Sequence, residues 1–447
     1  MPRICFILVA GLDQKLATSG GLFSAFAHRA TITPITPAVT CSMQATLTTG
    51  KTAAEHGIIC NGLYTHDNPA LHPYLDDDSF PEFRRQVSFW EQSNKLLQSP
   101  RFWAGKPIRT AMLFWQQSMP DAADIVLTPK PEHTPDGKTV SSCFSHPREL
   151  YSRLTAKLGA FPLHQYWGPM ASLPSSQWIV NAAMDIWRNN PVDLQMVYVP
   201  HLDYNLQRLG PDHPIVAKDV ADVAALLTPL VELVRKDGGV PVIAGDYSMN
   251  SVSTAIFPNR ALRDAGLLIT CPDEDGKLLI DYSASRAVTM VDHQIAYVYC
   301  AGESLASTRK VLEALDGLGT MAVSPAEKSR LGLNTPRAGQ IIALARADAW
   351  FAHDWWHNDS ERPRWQFSVD IHRKPGYDPR ELFFDPARKC IAQDTALVKG
   401  SHGVIVPEAE KQPVLLCDNA IPARNVRATD MAEWLFRLTR QFTAAPK

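Results

Sequence analysis

Three polar side chains stand where they could bind or attack a phosphoryl group. Asp203 follows the apolar run 194–199, Asp246 follows the apolar run 240–244, and Thr40 begins a helical pattern. Ligands of open α/β sheets gather at the carboxyl ends of strands, so we expect these residues at one site. A threonine hydroxyl at a helix start meets N–H groups that stabilise an alkoxide or a phosphate oxygen, and an aspartate can ligate a metal ion. The alternative for both Thr40 and Asp203 is an ordinary helix cap.

Histidines supply the second part of this chemistry. His293 and His372 each lie near an aspartate in a polar break after an apolar run, and His402 lies in a Gly-Ser-His-Gly segment. An imidazole oriented by a carboxylate can ligate a metal ion or act as a general acid or base. Arg373 and Lys399 could bind a substrate phosphate, with a role in surface solubility as the alternative. Each histidine alone is typical of a structural residue, so it is their collection that indicates a site.

One histidine pair is set aside. His353 and His357 have the i, i+4 spacing of a helical metal site, but the segment lacks the glutamate of a zincin motif and has polar flanks. We therefore expect a solvent-facing pair without a metal ion.

Apolar runs predict three buried strands, and periodic patterns predict two helices. In chain order these are a strand over 4–9, a helix over 176–189, a strand over 194–199, a helix over 213–236 and a strand over 240–244. A glycine pair ends the longer helix, and the last two strands with that helix form a β-α-β unit. We expect an α/β fold in which helices cover both faces of a largely parallel sheet.

Residues 61–175 differ from the rest of the chain, because they are rich in Pro, Trp, Phe and Gln and have weak periodicity. We predict that they form an insertion or cap that contributes to the substrate pocket. The core domain would then consist of residues 1–60 and 176–447. Aromatic-rich insertions often cover an active site, and an irregular packing layer is the alternative.

The composition excludes several classes of protein. The chain has 447 residues, 45% of them apolar and 20% charged, which is typical of a folded globular protein. No apolar run approaches the roughly 20 residues that a membrane span needs. The net charge of −2 does not favour a nucleic acid polymer or an anionic membrane as partner. The eight cysteines contain no C-x-x-C pair, so we expect reduced thiols in a cytoplasmic protein. The oligomeric state stays open.

Four motifs resemble, in chain order, those of the alkaline phosphatase superfamily, most closely its type I phosphodiesterase/nucleotide pyrophosphatase family. They are Thr40 with Thr49-Gly50 and the His-Gly-Ile-Ile run at 56–59, residues 203–211, residues 246–249 and residues 400–403. Within the family the chain is similar to a bacterial subgroup of predicted phosphodiesterases, some of them found beside cyclitol-type biosynthetic genes. The resemblance implies an alkaline-phosphatase-like three-layer sandwich with a cap-like insertion.

The resemblance also implies a bimetal centre, usually of two zinc ions. In such a centre one ion activates a threonine nucleophile and the other binds a phosphoryl oxygen. Carried over to this sequence, the nucleophile is Thr40, and the metal ligands include Asp203, Asp246 and His402.

Three ligands of the family pattern are replaced in this chain. Ala10 stands where an aspartate is expected, and Gln207 and Tyr247 stand where histidines are expected. Two protein ligands hold a divalent ion weakly, so we expect other residues to complete an altered centre. His372 is our candidate ligand, and His293 is a replacement ligand or the general acid/base. Gln207 and Tyr247 are then predicted to contact the substrate.

We therefore predict a metal-dependent hydrolase of phosphodiester or phosphomonoester bonds in a small metabolite. Its cofactor would be one or two zinc ions, with manganese or another divalent metal as the alternative. The alternative function is an inactive or repurposed member that binds a phosphorylated metabolite or performs a different transfer or isomerisation.

Overall fold

The computed structural model describes residues 3–18, 21–65, 87–133, 139–371 and 374–441. His372 and Arg373, for which the sequence predicts a metal ligand and a phosphate contact, lie outside these residues.

The strand Ile4–Val9, six fully buried apolar residues, lies at the centre of a nine-stranded sheet. It pairs in parallel with Leu194–Val199 on one side and with Val240–Gly245 on the other. Thr110–Leu113 and Ile125–Pro129 extend the parallel part of the sheet beyond Leu194–Val199. Strands buried on both faces have uninterrupted apolar sequences, so the sequence predicts the first three correctly.

Short strands complete both edges of this sheet. Val414–Cys417 lies between Val240–Gly245 and His28–Thr33 and is antiparallel to both. Asn425–Arg427 pairs in parallel with His28–Thr33 at one edge, and Cys143–His146 closes the opposite edge. The predicted α/β architecture with a largely parallel central sheet is confirmed.

Two groups of helices pack against the central sheet. Leu173–Asn189 and Ile215–Lys236 contact each other and the sheet, while Thr40–Thr49 contacts Met431–Gln441. The two predicted helices are confirmed, although the first begins at Leu173 because Pro174 fits the first helical turn. The α-helices of the described residues are Thr40–Thr49, Ala53–His56, Leu150–Leu158, Leu173–Asn189, His201–Leu209, Ile215–Lys236, Pro258–Asp264, Leu305–Glu313, Pro325–Arg330 and Met431–Gln441.

A second, antiparallel sheet of four strands has its own apolar core. Its strands, in spatial order, are Ala287–Asp292, Ile295–Cys300, Ile341–Ala345 and Leu318–Ala322. In the described part of the chain, six strand pairs stand apart from both sheets: Gly62–Tyr64 with Val87–Phe89, Glu132–His133 with Thr139–Val140, Asn250–Ser251 with Gly400–Ser401, Thr254–Ile256 with Ala349–Phe351, Thr270–Pro272 with Leu278–Ile280, and Phe384–Asp385 with Cys390–Ile391.

Residues 61–175, which the sequence assigns to an insertion, also contribute to the central sheet. They supply the strands Thr110–Leu113, Ile125–Pro129 and Cys143–His146. The same segment supplies aromatic residues to the cleft described below. The division of the chain at residues 61 and 175 stays a prediction.

No helix of the described residues is both long and apolar enough to cross a membrane. All eight cysteines have free thiols.

Candidate active site

Thr40 is the first residue of the helix Thr40–Thr49, and it lies at the floor of a cleft. The helix cap is Val39, whose side chain cannot accept a hydrogen bond, so Thr40 is not the helix cap that was the alternative. The Cys41 N–H donates to Asn61 Oδ1 at 2.9 Å, which connects the helix start to the segment after Cys60. The hydroxyl of Thr40 therefore lies beside the positive end of the helix dipole.

His402 is held beside this helix start. Its Nδ1 donates to the Ala38 carbonyl at 2.8 Å, and the Ala38 N–H donates to the Gly403 carbonyl at 3.1 Å. A carbonyl only accepts hydrogen bonds, so Nδ1 carries the proton and Nε2 keeps its lone pair. Burial, and next the neighbouring His293, lower the pKa of His402 well below its usual value. The ring is therefore neutral, with a free lone pair on Nε2.

Asp203 lies in the first turn of the helix His201–Leu209, directly after the strand Leu194–Val199. Its Oδ2 accepts from Gln207 Nε2 at 2.5 Å, and its Oδ1 accepts from the Tyr247 hydroxyl at 3.1 Å. The carboxylate therefore bonds to side chains rather than capping its helix. Burial raises the pKa of Asp203, against the lowering effect of His293.

Asp246 follows the strand Val240–Gly245, which pairs with Ile4–Val9. Its side chain turns toward the carboxyl end of Ile4–Val9. Its Oδ1 accepts from the N–H groups of Gly11 at 3.1 Å and Tyr247 at 3.0 Å. Its Oδ2 is buried and has no hydrogen-bond partner among the described residues. Burial raises the pKa of Asp246 to about 8, so the carboxyl favours its neutral form.

His293 lies in the tight turn between Ala287–Asp292 and Ile295–Cys300, where its φ is 56°. Its Nδ1 lies 2.6 Å from Asp292 Oδ1. Asp292 Oδ2 also accepts from the Asn61 backbone N–H at 2.8 Å. The Asp292 carboxylate therefore orients the imidazole and leaves its Nε2 for the cleft.

Four rings form a continuous stack along one side of the cleft. Tyr247 stacks on His402 with ring centroids 3.5 Å apart and an interplanar angle of 2°. His402 lies 3.8 Å from His293, and His293 stacks on Tyr377 at 3.7 Å. The Tyr377 hydroxyl donates to Gln207 Oε1 at 2.8 Å, which joins the far end of the stack to Asp203.

The cleft contains about 880 Å³ of space between its atoms, part of it open to solvent. Thr40, Asp203, Tyr247, His293 and His402 line its floor. Its walls are mainly aromatic and apolar and include Trp90, Trp167, Tyr166, Tyr204, Leu163 and Ile371. Of the described residues that line the cleft, none is a lysine or an arginine.

The structure thus brings Thr40, Asp203, His293 and His402 to one cleft, with Asp246 adjacent through Tyr247. Sequence reasoning missed Tyr377 and Tyr198, which line the cleft, and Asn61, which donates to Asp292. Tyr198 lies near the end of the apolar strand Leu194–Val199. A polar hydroxyl in such a strand was the one feature of the sequence that could have indicated its place in the cleft. Asn61 comes two residues after the His-Gly-Ile-Ile run, at the position where the sequence placed a domain boundary.

Several other candidates lie elsewhere. Gln207 is buried behind Asp203, and Lys399 has an exposed side chain outside the cleft lining. His201, at the start of the same helix as Asp203, faces Asp219, with Nε2 3.9 Å from a carboxylate oxygen. Lys374, next to the predicted phosphate contact, is fully buried in ion pairs.

The expectation of a solvent-facing pair at His353 and His357 is wrong for His353. That ring is fully buried and lies 2.9 Å from Gln366 Oε1, whereas His357 is exposed and lies 2.7 Å from Asp264. The segment is not helical, so the four-residue spacing does not place both rings on one face.

Lys374 belongs to a buried ion network behind Trp167. The network consists of Asp354, Lys374, Asp378, Arg380 and Glu381. The Trp167 indole, which lines the cleft, donates to Glu381 Oε2 at 2.5 Å and so joins this network to the cleft wall.

The donors at the cleft floor do not fit the bimetal centre that the resemblance implies. Both oxygens of Asp203 face hydrogen donors, and Ala10 offers no ligand where the family pattern has an aspartate. Among the described residues, three or more ligating groups come within 4.8 Å of one another only outside the cleft, at His201, Asp219 and Asp222. We therefore derive no chemical step through a metal ion.

The family model for type I phosphodiesterase / nucleotide pyrophosphatase matches residues 21–378. No curated protein matches the chain.

Among solved structures, murine ectonucleotide pyrophosphatase/phosphodiesterase 5 is similar at 16% identity and a TM-score of 0.58, over 98% of this chain and 95% of that one. An inactive threonine-to-alanine variant of the murine protein, in complex with AMP, matches at 15% identity and a TM-score of 0.59, over 98% and 95%. Phosphonoacetate hydrolase from Sinorhizobium meliloti, in complex with phosphonoformate, matches at 15% identity and a TM-score of 0.60, over 98% and 96%. These likenesses show a common fold.

Proposed function

The chain belongs to the type I phosphodiesterase/nucleotide pyrophosphatase family, and from this membership we propose that it hydrolyses a phosphodiester or phosphomonoester bond in a small metabolite. The observation that supports the proposal most is the position of Thr40, a hydroxyl at a helix start in the same cleft as Asp203 and His293. The inactive threonine variant of the murine relative supports a threonine in this role.

In the proposed reaction the Thr40 oxygen attacks phosphorus, and the bond from phosphorus to the leaving oxygen breaks. The Thr40 proton passes to the Tyr247 oxygen as Tyr247 gives its own proton to Asp203, and the same relay runs in reverse to return a proton to Thr40 when phosphate leaves. The helix start stabilises the phosphoryl charge. His293 Nε2 gives a proton to the leaving oxygen and later takes one from the water that releases phosphate from Thr40.

The cleft walls support a substrate with an apolar or aromatic group. Trp90 and Trp167 offer flat surfaces beside the floor, and aromatic rings stack favourably on other flat groups. We propose a small-molecule ester rather than a nucleic acid polymer. The cytoplasm remains the proposed compartment, because the cysteine spacing shows no disulfide framework.

Members of the family typically depend on divalent metal ions. The zinc or manganese predicted for this chain, with Asp203, Asp246, His402 and His372 as ligands, enters no step of the proposal. The described donors do not fit a bimetal centre, and His372 lies outside the described residues.

The test is hydrolysis of bis-p-nitrophenyl phosphate and p-nitrophenyl phosphate by wild type, Thr40→Ala and Thr49→Ala. Thr49 lies at the other end of the same helix and bonds to the Ala45 carbonyl, so it is a matched control. We expect Thr40→Ala to abolish both rates and Thr49→Ala to keep them. Mass spectrometry should detect a phosphate adduct on Thr40 in quenched wild type. Equal rates in the two variants would overturn the proposal.

A second candidate function is binding of a phosphorylated metabolite without turnover. It is favoured by the Asp203 carboxylate, whose two oxygens are both occupied by hydrogen bonds within the protein. Wild type that binds p-nitrophenyl phosphate in calorimetry, but does not hydrolyse either ester, would select this function.

A further inference from the structure

Asp203 holds two hydrogen bonds from the residues that replace family ligands. Gln207 donates to one carboxylate oxygen at 2.5 Å and Tyr247 donates to the other at 3.1 Å. Both donors are neutral, and both are almost fully buried. The two replacements therefore act on the same carboxylate.

The amide of Gln207 is turned so that it cannot ligate an ion beside Asp203. A carboxylate accepts hydrogen bonds, so the Gln207 group that faces Asp203 is the NH₂. The amide oxygen, the ligating atom of a glutamine, accepts instead from the Tyr377 hydroxyl at 2.8 Å. Tyr377 is fixed in turn by its stacking on His293.

Tyr247 is fixed with equal precision. Its ring lies parallel to His402 at 3.5 Å, and its hydroxyl reaches Asp203. Thr40 lines the cleft beside it. Position 10 adds neither a ligand nor a charge, because it is an alanine. Its methyl group is completely buried, directly after the central strand.

We infer that hydrogen bonds from Gln207 and Tyr247 take the place of metal ions at Asp203, so that the cleft binds and processes its phosphate ester without a divalent ion. This inference rests on the proposed function only in taking the cleft as the substrate site. Ala10, Gln207 and Tyr247 are then one coordinated change from a metal centre to a hydrogen-bonded centre.

The test measures metal content, which is separate from activity. Wild type, Asp203→Asn and Asp222→Asn are purified after growth with added zinc and manganese, and bound metal is measured by plasma mass spectrometry. Asp222 belongs to the cluster with His201 and Asp219 outside the cleft, so its variant reports any ion held there. We expect no ion that depends on Asp203, and the same ester hydrolysis in EDTA as in added zinc.

The matched gain-of-function variant is Ala10→Asp/Gln207→His/Tyr247→His, which restores the family pattern. We expect it to bind at least one zinc ion per chain and to gain thermal stability from zinc, while wild type shows no zinc-dependent shift in Tm that needs Asp203. Circular dichroism checks that the variant folds. If it does not fold, the comparison of wild type with Asp203→Asn still decides.

A stoichiometric ion in wild type that is lost in Asp203→Asn but kept in Asp222→Asn would overturn the inference. An ion lost in Asp222→Asn alone supports it, because the ion then lies outside the cleft. The proposed function has a different test: unchanged hydrolysis in Thr40→Ala would overturn it. That result would leave the inference about Asp203 intact, because the metal content is measured independently of activity.

Discussion

Asp203 at the cleft floor and Asp378 behind the cleft wall are both buried carboxylates, yet their partners differ in charge. Asp378 accepts from Arg380 Nε at 2.7 Å and Lys374 Nζ at 3.0 Å, whereas the side-chain donors to Asp203 are an amide and a phenol. Burial would raise the pKa of Asp378, but the two cations lower it well below its usual range. The pKa of Asp203 is raised.

This difference distinguishes buried carboxylates that stabilise the fold, such as Asp378, from those that can take part in a reaction, such as Asp203. In the ion network the pKa values of Asp354 and Asp378 are lowered despite burial, mainly by Arg380, so their ionised forms are favoured and little is left for a ligand. At the cleft floor no lysine or arginine of the described residues forms an ion pair with Asp203 or Asp246, so these carboxylates keep the capacity to accept a proton or to orient a neutral group.

The largest expected effect comes from Arg380→Met, which leaves Asp354 and Asp378 without the guanidinium between them. Breaking a buried ion pair from one side costs about 3–5 kcal/mol, and we expect a loss of that size in the free energy of unfolding, measured by denaturant titration. Arg388→Met is the control, because Arg388 is half exposed and pairs with Asp359 at the surface. We expect it to cost less than about 1 kcal/mol. Similar losses of unfolding free energy in Arg380→Met and Arg388→Met would contradict the idea that the buried network is the more important of the two for stability.

Asp378→Asn should cost about 1.5–3 kcal/mol at neutral pH, the range for hydrogen bonds to charged groups. The pKa of Asp378 is lower in the folded state than its ordinary value of 3.8, so its carboxylate stabilises the fold above about pH 4. The difference in unfolding free energy between wild type and variant should therefore be constant from pH 8 to 5 and narrow below pH 4. A difference that narrows already near pH 6 would contradict the lowered pKa.

Tyr247→Phe removes one neutral donor from Asp203 but keeps the ring on His402. We expect a stability loss of about 1–2 kcal/mol, since one buried carboxylate oxygen loses its partner. Tyr297→Phe is the matched control, because the buried Tyr297 hydroxyl donates to a carbonyl, that of Ile59 at 2.6 Å, and not to a carboxylate. If Tyr247→Phe were neutral while Tyr297→Phe were costly, the hydrogen bond to Asp203 would contribute nothing to stability.

The smallest effect is expected from His357→Ala at the surface beside the ion network. Its imidazole is half exposed and pairs with the exposed Asp264, so we expect a change below about 0.5 kcal/mol in thermal or denaturant unfolding. A loss above 1 kcal/mol would show that the ion network extends to the surface.

Much of the fold can be predicted from local sequence. The strands Ile4–Val9, Leu194–Val199 and Val240–Gly245 are continuous apolar runs, and a helix with a glycine stop lies between the last two. Val414–Cys417 was not predicted, because four apolar residues in a polar tail give no periodicity. Its place in the sheet depends on pairing with strands made much earlier in the chain.

The site could be predicted only in part. Thr40, Asp203 and His402 follow from motif spacing, and the structure places them at one cleft. The hydrogen-bond partners of Asp203 could not be predicted from the sequence. Gln207 presents its NH₂ group to Asp203 because its amide oxygen accepts from Tyr377, a residue far away in the chain. Arg380 and Lys374 were equally hidden, since charged residues are normally exposed and both are fully buried here.

The edge of the central sheet has a consequence for biosynthesis. His28–Thr33 leaves the ribosome long before the strands that flank it, Val414–Cys417 and Asn425–Arg427. Pairing over such a sequence separation is slow, and an unpaired edge is prone to wrong contacts. The strand His28–Thr33 must therefore wait until these two strands have been synthesised, and a nascent chain stalled before residue 414 would expose it to chaperones.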